Sequence, residues 1–159
     1  KVEGASMNPT VCHRDVLLAM LTRHSVDDRS LIGRIVILKL GSGISVKRVV
    51  AVAGDAVSIE MGRLVRNGRK VEEPYICEGE SSIREHWPLR SGGGDGYQVV
   101  PSGQVFVLGD NRTSSLDSRE MGFLAATEVS AIVLGRIWRG RKGASACDCR
   151  TVRIPRSRS

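Results

Sequence analysis

Short runs of valine, isoleucine and leucine, separated by turns that contain glycine, constrain the fold of this chain more than any other feature of its sequence. The clearest run covers residues 44–53 and follows a tight glycine turn at residues 41–43. Short β-branched runs bounded by turn residues are typical of strands. With 18 glycines and only 4% aromatic residues, the sequence predicts a mostly β architecture.

Further strands are predicted along the rest of the chain, with hairpin turns at Gly62 and at residues 67–68. They cover residues 15–20, 34–40, 57–60, 64–65, 70–71, 97–100, 104–108 and 131–138. Residues 72–96 have little periodicity and contain acidic residues, two prolines and three consecutive glycines. This segment predicts a loop or small lobe, inserted at about residues 62–100 of a folded unit that covers residues 1–138.

Composition and charge limit the function classes. A chain of 159 residues with 41% hydrophobic and 26% charged residues is typical of one globular domain. Most of the net charge of +7 lies in residues 139–159, where seven basic residues accompany one acidic residue. We expect a solvated, disordered tail there, with weak contact to anionic lipid headgroups as the functional alternative. Nucleic-acid binding is disfavoured because no basic stripe alternates with aromatic residues.

The cysteines and the apolar segments give further expectations. Four cysteines are present, at Cys12, Cys77, Cys147 and Cys149. None stands at metal-ligand spacing from a histidine, so we predict free or incidentally oxidised thiols and no metal site. No segment reaches the roughly 20 apolar residues that span a bilayer.

Three polar clusters interrupt the β-rich sequence, at residues 6–10, 47–48 and 109–119. In the strand of the second cluster, Ser45, Lys47, Val49 and Ala51 are predicted to share one face, since alternate residues of a strand point to opposite sides. Burial among such small and apolar neighbours would lower the pKa of Lys47, and a neutral lysine can act as a general base. A lysine at a sheet edge, pointing to solvent, is the alternative.

A lysine base needs a hydroxyl nucleophile nearby, and composition alone does not select one of the many serines. Ser6 has suitable local chemistry, because Gly4 and Ala5 leave room for a substrate backbone and Pro9 stiffens the loop. The conventional base would be a histidine. The chain offers His13, His24 and His86, none in a recognisable triad setting, and we predict them on the surface.

In this order, the three clusters resemble the signature boxes of bacterial type I signal peptidases, especially the shorter Gram-positive-like members. Residues 6–10 are similar to the family's Ser-Met-x-Pro-Thr box around the nucleophile. Residues 47–55 are similar to its lysine box. Residues 109–119 match its Gly-Asp-Asn-Arg-x-x-Ser-x-Asp-Ser-Arg box without a mismatch. The resemblance implies a signal-peptidase-like β-barrel or sandwich as the catalytic core.

The resemblance also implies a role for each matching residue. Ser6 would be the acylating nucleophile and Lys47 its general base. Ser115 would hydrogen-bond the lysine amine and orient it, and the backbone N–H of Ser6 would contribute to the oxyanion hole. Four charged residues would brace the site structurally: Asp117, Arg119, Asp110 and Arg48.

The activity implied is a membrane-associated serine endopeptidase without a cofactor, which removes signal peptides after Ala-x-Ala type sites. Its partners would be preproteins from the Sec or Tat export pathway and the lipid surface, not nucleic acid. The catalytic domain would lie on the extracytoplasmic face of the cytoplasmic membrane, held by an N-terminal anchor that precedes Lys1.

Two alternatives stay open. One is another Ser/Lys peptidase of the same fold, of the conjugation-pilus processing or self-cleaving repressor type. The other is a non-enzymatic β-rich module that binds membrane or nucleic acid through its basic tail. In that module Ser6 and Lys47 would be dispensable.

Overall fold

The computed structural model describes residues 1–21, 29–77, 86–87 and 96–139. Of the predicted features, His24, most of the residues from 78 to 95 in the inserted lobe, and residues 140–159 of the basic tail with Cys147 and Cys149 lie outside these ranges. Within them, the structure contains no helix with the length and apolar character that crossing a membrane requires.

The described residues form mostly β structure, which confirms the predicted fold class. The strands are β1 (Val16–Leu21), β2 (Ile35–Leu40), β3 (Gly43–Val52), β4 (Ala56–Glu60), β5 (Arg63–Arg66), β6 (Arg69–Lys70), β7 (His86–Trp87), β8 (Gln98–Val99), β9 (Gln104–Leu108), β10 (Leu124–Ala125) and β11 (Val129–Trp138). One α-helical turn, α1, covers Ser118–Met121, and 3-10 turns cover Arg29–Leu31 and Ala126–Glu128. The sequence does not predict β7, β10 or α1, because two-residue strands and a single turn leave no measurable periodicity.

The strands form two antiparallel sheets. The larger has the order β1-β11-β2-β3-β9-β10, and the smaller has the order β6-β5-β4-β7 with β8 also paired to β4. The two predicted hairpins are present in the smaller sheet. Their turns contain residues of positive φ, at Met61 and Gly62 and at Asn67 and Gly68, which suits the right-handed twist of the paired strands.

Strands β3 and β9 lie between two hydrophobic clusters, because their alternate side chains point to opposite faces. Val105 and Val107 enter the first cluster, and Phe106 and Leu108 enter the second. The second cluster also contains Trp87, whose ring centroid lies 4.6 Å from that of Phe106. The first cluster packs beneath the face of β3 that carries Lys47, whose cross-strand neighbour Val36 is fully buried.

An irregularity in β3 changes the predicted alternation. The pairing of β3 with β9 shifts register between Val49 and Ala51. Val49 and Val50 therefore lie on the predicted faces, but Ala51 packs in the second cluster and Val52 in the first, the reverse of the prediction. An extra residue in one strand reverses the faces that follow it. Lys47 precedes the shift, so its predicted face is unaffected.

Of the two predicted states, free or oxidised, the free thiol is wrong for the two cysteines that the structure describes. Cys12 and Cys77 are both disulfide-bonded. Disulfide formation depends on the distance and direction between two cysteines in the folded chain, which their spacing in the sequence does not reveal.

Asp55 organises the junction after β3. Its buried carboxylate accepts hydrogen bonds from Arg29 Nη2 at 2.8 Å, Asn67 Nδ2 at 2.9 Å and the backbone N–H of Val52 at 3.1 Å. Burial alone would raise the pKa of Asp55, but the hydrogen bonds from Asn67, Arg29 and Val52 outweigh it and hold the pKa below its ordinary value. The ionised carboxylate therefore stabilises the fold.

We predict that Asp55→Asn lowers the free energy of unfolding at neutral pH by about 1–3 kcal/mol, because an amide cannot satisfy the three donors. A carboxylate with a lowered folded-state pKa stabilises the protein above its ordinary pKa, and this contribution disappears as the pH falls through the folded-state value. Urea denaturation between about pH 7 and pH 2 should thus show a weaker acid dependence in the variant than in the parent. The exposed Glu3→Gln is the control, and an Asp55→Asn curve parallel to the parent's would contradict the prediction.

Candidate active site

The loop that carries Ser6 is folded by its own backbone and anchored by one apolar side chain. Asn8 N donates to Ala5 O at 3.0 Å and Val11 N donates to Met7 O at 2.9 Å. The Met7 side chain is buried, only 2% exposed. The peptide bond before Pro9 is cis. The loop is therefore compact at its start and inserted into the core by Met7.

Two residues distant in sequence hold this loop in place. Asn111 donates from its backbone N–H to Ser6 O at 3.0 Å and from Nδ2 to Ala5 O at 3.2 Å. Arg136 in β11 donates from Nη1 to Thr10 O at 3.2 Å and to Asp15 Oδ2 at 2.9 Å. The position of Ser6 thus depends on tertiary contacts on both sides of the loop.

The structure brings Ser6 and Lys47 together. Lys47 Nζ lies 3.1 Å from Ser6 Oγ, although the two residues are 41 positions apart. The amine also lies 2.9 Å from Ser45 Oγ and 3.2 Å from Val46 O. Lys47 is only 3% exposed, so the alternative of a solvent-facing lysine is wrong.

The surroundings of Lys47 favour its neutral form. Burial lowers the pKa of the amine, since removal from water penalises the ammonium, and the negative charge of Asp117 opposes this shift without cancelling it. A buried amine with a lowered pKa, in contact with a serine hydroxyl, can remove the hydroxyl proton.

Asp117 and Arg119 form a buried ion pair beside this site. Arg119 donates from Nε to Asp117 Oδ1 at 2.8 Å and from Nη2 to Oδ2 at 2.9 Å. Asp117 also accepts from Gly109 N at 2.9 Å and is the N-cap of α1. This one carboxylate therefore ties the two ends of the polar block at residues 109–119 together.

Arg48 and Asp110 form a second buried pair. Arg48 Nε and Nη2 donate to the two oxygens of Asp110 at 2.8 and 2.6 Å, a bidentate geometry. The Tyr75 ring lies 3.8 Å from the Arg48 guanidinium, and Tyr75 donates to Glu73, which is ion-paired with Arg112. The sequence does not predict Glu73 and Tyr75 as site residues, because no local pattern identifies residues that reach the site only through the fold.

Ser115 does not make the hydrogen bond that the resemblance implied. Its Oγ is buried and has no hydrogen-bond partner within the part of the chain that the structure describes. Ser45 hydrogen-bonds the amine instead, because it precedes Lys47 by two residues on the same face of β3. Strand alternation predicts Ser45 on that face, but the resemblance implies no role for it.

Gly109 packs closely against two segments, the loop that carries Ser6 and the part of the polar block that carries Ser115. A Cβ atom at this position would lie 2.5 Å from both Ser6 O and Ser115 Cβ and would also overlap Ser115 Oγ. The close approach of the loop to the polar block therefore requires glycine.

Two backbone N–H groups of the loop, those of Ser6 and Gly4, differ in their hydrogen bonding. The N–H of Ser6 donates to no group among the described residues. Gly4, with φ of 92°, donates its N–H to Nδ1 of the exposed His13 at 3.2 Å. Histidine at this position thus binds the loop backbone, and the structure places it outside the contact between Ser6 and Lys47.

Comparison with known proteins gives a consistent result. The family model described as signal peptidase, peptidase S26, matches residues 1–138. A signal peptidase I of Bacillus amyloliquefaciens is 33% identical over 126 residues, and signal peptidase I U of Bacillus subtilis (strain 168) is 38% identical over 119 residues. Each of these two alignments covers 74% of this chain and 63% of the relative, so the chain spans less than two thirds of their length.

Two further matches cover more of the compared protein. A signal peptidase I of Bacillus caldolyticus is 33% identical over 148 residues, which is 86% of this chain and 77% of the relative. A crystal structure of a signal peptidase I from Enterococcus faecalis superimposes with a TM-score of 0.51. At 23% identity, covering 75% of this chain and all of that one, it shows a shared fold.

We predict that Gly109→Ala destabilises the protein by about 1–3 kcal/mol, because the added methyl group forces the Ser6 loop away from the polar block. Thermal or urea denaturation measures the loss. Gly135→Ala is the matched control, since a Cβ at Gly135 would meet no atom within 4 Å, and it should change stability by less than about 0.5 kcal/mol. Equal stability of the two variants would contradict the prediction.

Proposed function

Because the chain belongs to the signal peptidase family, peptidase S26, we propose that it is a serine endopeptidase that removes signal peptides from secreted preproteins. The proposal assigns Ser6 as the nucleophile and Lys47 as the general base. The activity is a proposal rather than a consequence of the family match, because this chain spans less than two thirds of the length of the two relatives described first.

The contact of Lys47 Nζ with Ser6 Oγ at 3.1 Å is the observation that carries the proposal. A serine hydroxyl is a weak nucleophile until a base accepts its proton. Lysine can accept that proton only when neutral, and burial lowers the pKa of Lys47 toward that condition. No histidine is needed for this step.

The proposed reaction has two stages. Lys47 Nζ removes the proton of Ser6 Oγ as the oxygen attacks the carbonyl carbon of the scissile bond. The resulting ammonium gives the proton to the leaving amine, the peptide bond breaks, and an acyl-enzyme remains on Ser6. Lys47 then takes a proton from water as the water oxygen attacks the ester carbon. The ammonium returns this proton to Ser6 Oγ as the ester bond breaks, which releases the cleaved peptide as its carboxylic acid and restores Ser6 and neutral Lys47. The backbone N–H of Ser6, which has no described partner, would stabilise the oxyanion.

The substrate is proposed to be an extended peptide with small side chains at the first and third positions before the cut, as in Ala-x-Ala. Gly4 and Ala5 place little bulk beside Ser6, which leaves space for a peptide backbone. Such a peptide binds by strand addition in many complexes.

The proposed location is the extracytoplasmic face of the cytoplasmic membrane, where preproteins emerge from the Sec or Tat pathway. Large apolar side chains on β1 and β11 support contact with the lipid surface. Exposed among them are Leu18, Met20, Leu134, Ile137 and Trp138. Aromatic and aliphatic side chains of this kind favour the membrane interface.

The first test is cleavage of a preprotein with an Ala-x-Ala site in detergent. We predict that the parent cuts after the second alanine, while Ser6→Ala and Lys47→Met lower kcat/KM by at least about 10⁴-fold, because each removes one half of the dyad. Lys39→Met, at an exposed lysine of the neighbouring strand β2, is the matched control and should retain activity. Activity of the dyad variants equal to the parent's, with all proteins folded by circular dichroism, would refute the proposal.

The second test is the pH dependence of cleavage. Only neutral Lys47 accepts a proton, so kcat/KM should rise with pH through the pKa of Lys47 in the free enzyme. Burial lowers that pKa from the ordinary value of 10.5, so the rise should be centred well below pH 10.5. Initial rates from about pH 5 to pH 11 give the profile. A rise centred near the ordinary lysine value would contradict the assignment of the base.

A further inference from the structure

Three oxygen atoms surround the amine of Lys47, and only two of them can accept a hydrogen bond from its neutral form. Ser6 Oγ, Ser45 Oγ and Val46 O surround Nζ at 3.1, 2.9 and 3.2 Å. A neutral primary amine has two N–H donors and one lone pair. Val46 O can only accept a hydrogen bond, so it takes one N–H. If Ser45 Oγ takes the other, the lone pair is left directed at Ser6 Oγ.

We propose that Ser45 is a positioning residue, which holds one N–H of Lys47 so that the lone pair of the amine points at the hydroxyl of Ser6. The proposal rests on the catalytic roles proposed above for Ser6 and Lys47. It assigns to Ser45 the orienting role that the resemblance had given to Ser115.

The sheet makes Ser45 suited to this role. Ser45 and Lys47 lie two residues apart on one face of β3, so the strand backbone fixes their separation. Their cross-strand partners in β2 are Leu38 and Val36, both fully buried. A rigid, paired strand places a hydroxyl more accurately than a loop does.

Ser115 is less suited than Ser45 to orient the amine of Lys47. Its Oγ lies against Gly109 and hydrogen-bonds no described group. Val46 contributes a backbone oxygen, which a substitution does not remove. Ser45 is therefore the side chain through which the orientation of the amine can be changed.

The charge around Lys47 gives the sign of the expected effect. Asp117 is the charged group whose field acts on the amine, and it is paired with Arg119. Ser45 Oγ accepts from the amine in both protonation states but stabilises the ammonium more, since hydrogen bonds to charged groups are the stronger ones. Loss of the hydroxyl should consequently lower the pKa of Lys47 further.

The test compares Ser45→Ala, Ser45→Val and Ser45→Thr with the parent. Valine and threonine have the same shape and suit a strand, but only threonine has a hydroxyl. We expect the alanine and valine variants to lose about tenfold or more in kcat with little change in KM, while threonine restores most of the rate. The acid limb of the pH profile should move to lower pH by about one pH unit in the two variants that lack a hydroxyl. Ser42→Ala, in the exposed turn before β3, is the control.

A second measurement does not depend on cleavage. The ¹³Cε resonance of Lys47, identified by its loss in Lys47→Met, reports the titration of the amine directly. A lower midpoint in Ser45→Val than in Ser45→Thr supports the proposal, even if the parent cleaves no preprotein and the proposed function fails. Equal midpoints in these two variants overturn the proposal, as does a kcat in Ser45→Val equal to the parent's. A loss of rate that threonine does not reverse also overturns it, because the effect would then be structural.

Discussion

The burial of one lysine amine against one serine hydroxyl is the interaction on which the rest of the site depends. A charged amine loses its hydration in the core, so Lys47 is kept there only with a lowered pKa and three oxygen partners. Strand β3 keeps the amine buried, because Val36 and Leu38, the residues of β2 that pair with Lys47 and Ser45, are fully buried. Ser6, which is half-buried, meets the amine because Met7 anchors its loop in the core.

Buried ion pairs then fix the polar segments around that contact. Asp117 links Arg119 to the backbone of Gly109, and Arg48 holds Asp110 on the opposite face of β3. Such pairs contribute little net stability, since desolvation offsets their attraction, but removing one partner is costly. Their effect is to hold the loop and the polar block in one arrangement, which a site of this geometry requires.

Much of the fold was predictable, because it follows from local patterns. Alternating apolar residues identified the long strands, and the Asn-Gly pair at residues 67–68 identified a hairpin. The prediction was wrong where a tertiary contact intervened. The register shift after Val49 exchanges the faces of Ala51 and Val52, and Cys12 and Cys77 are disulfide-bonded. Neither a β-bulge nor a disulfide can be predicted from the residues next to it in the sequence.

The sequence by itself determined the chemistry available to this protein: a serine in a small-residue loop, a lysine within an apolar strand, and a polar block rich in ionisable groups. Only the tertiary structure decided how those groups meet. It placed Ser6 and Lys47 in contact across 41 residues, and it put Ser45 rather than Ser115 on the amine. The physical reason is that strand alternation predicts which side a residue faces, whereas the partner it meets there depends on how distant segments pack.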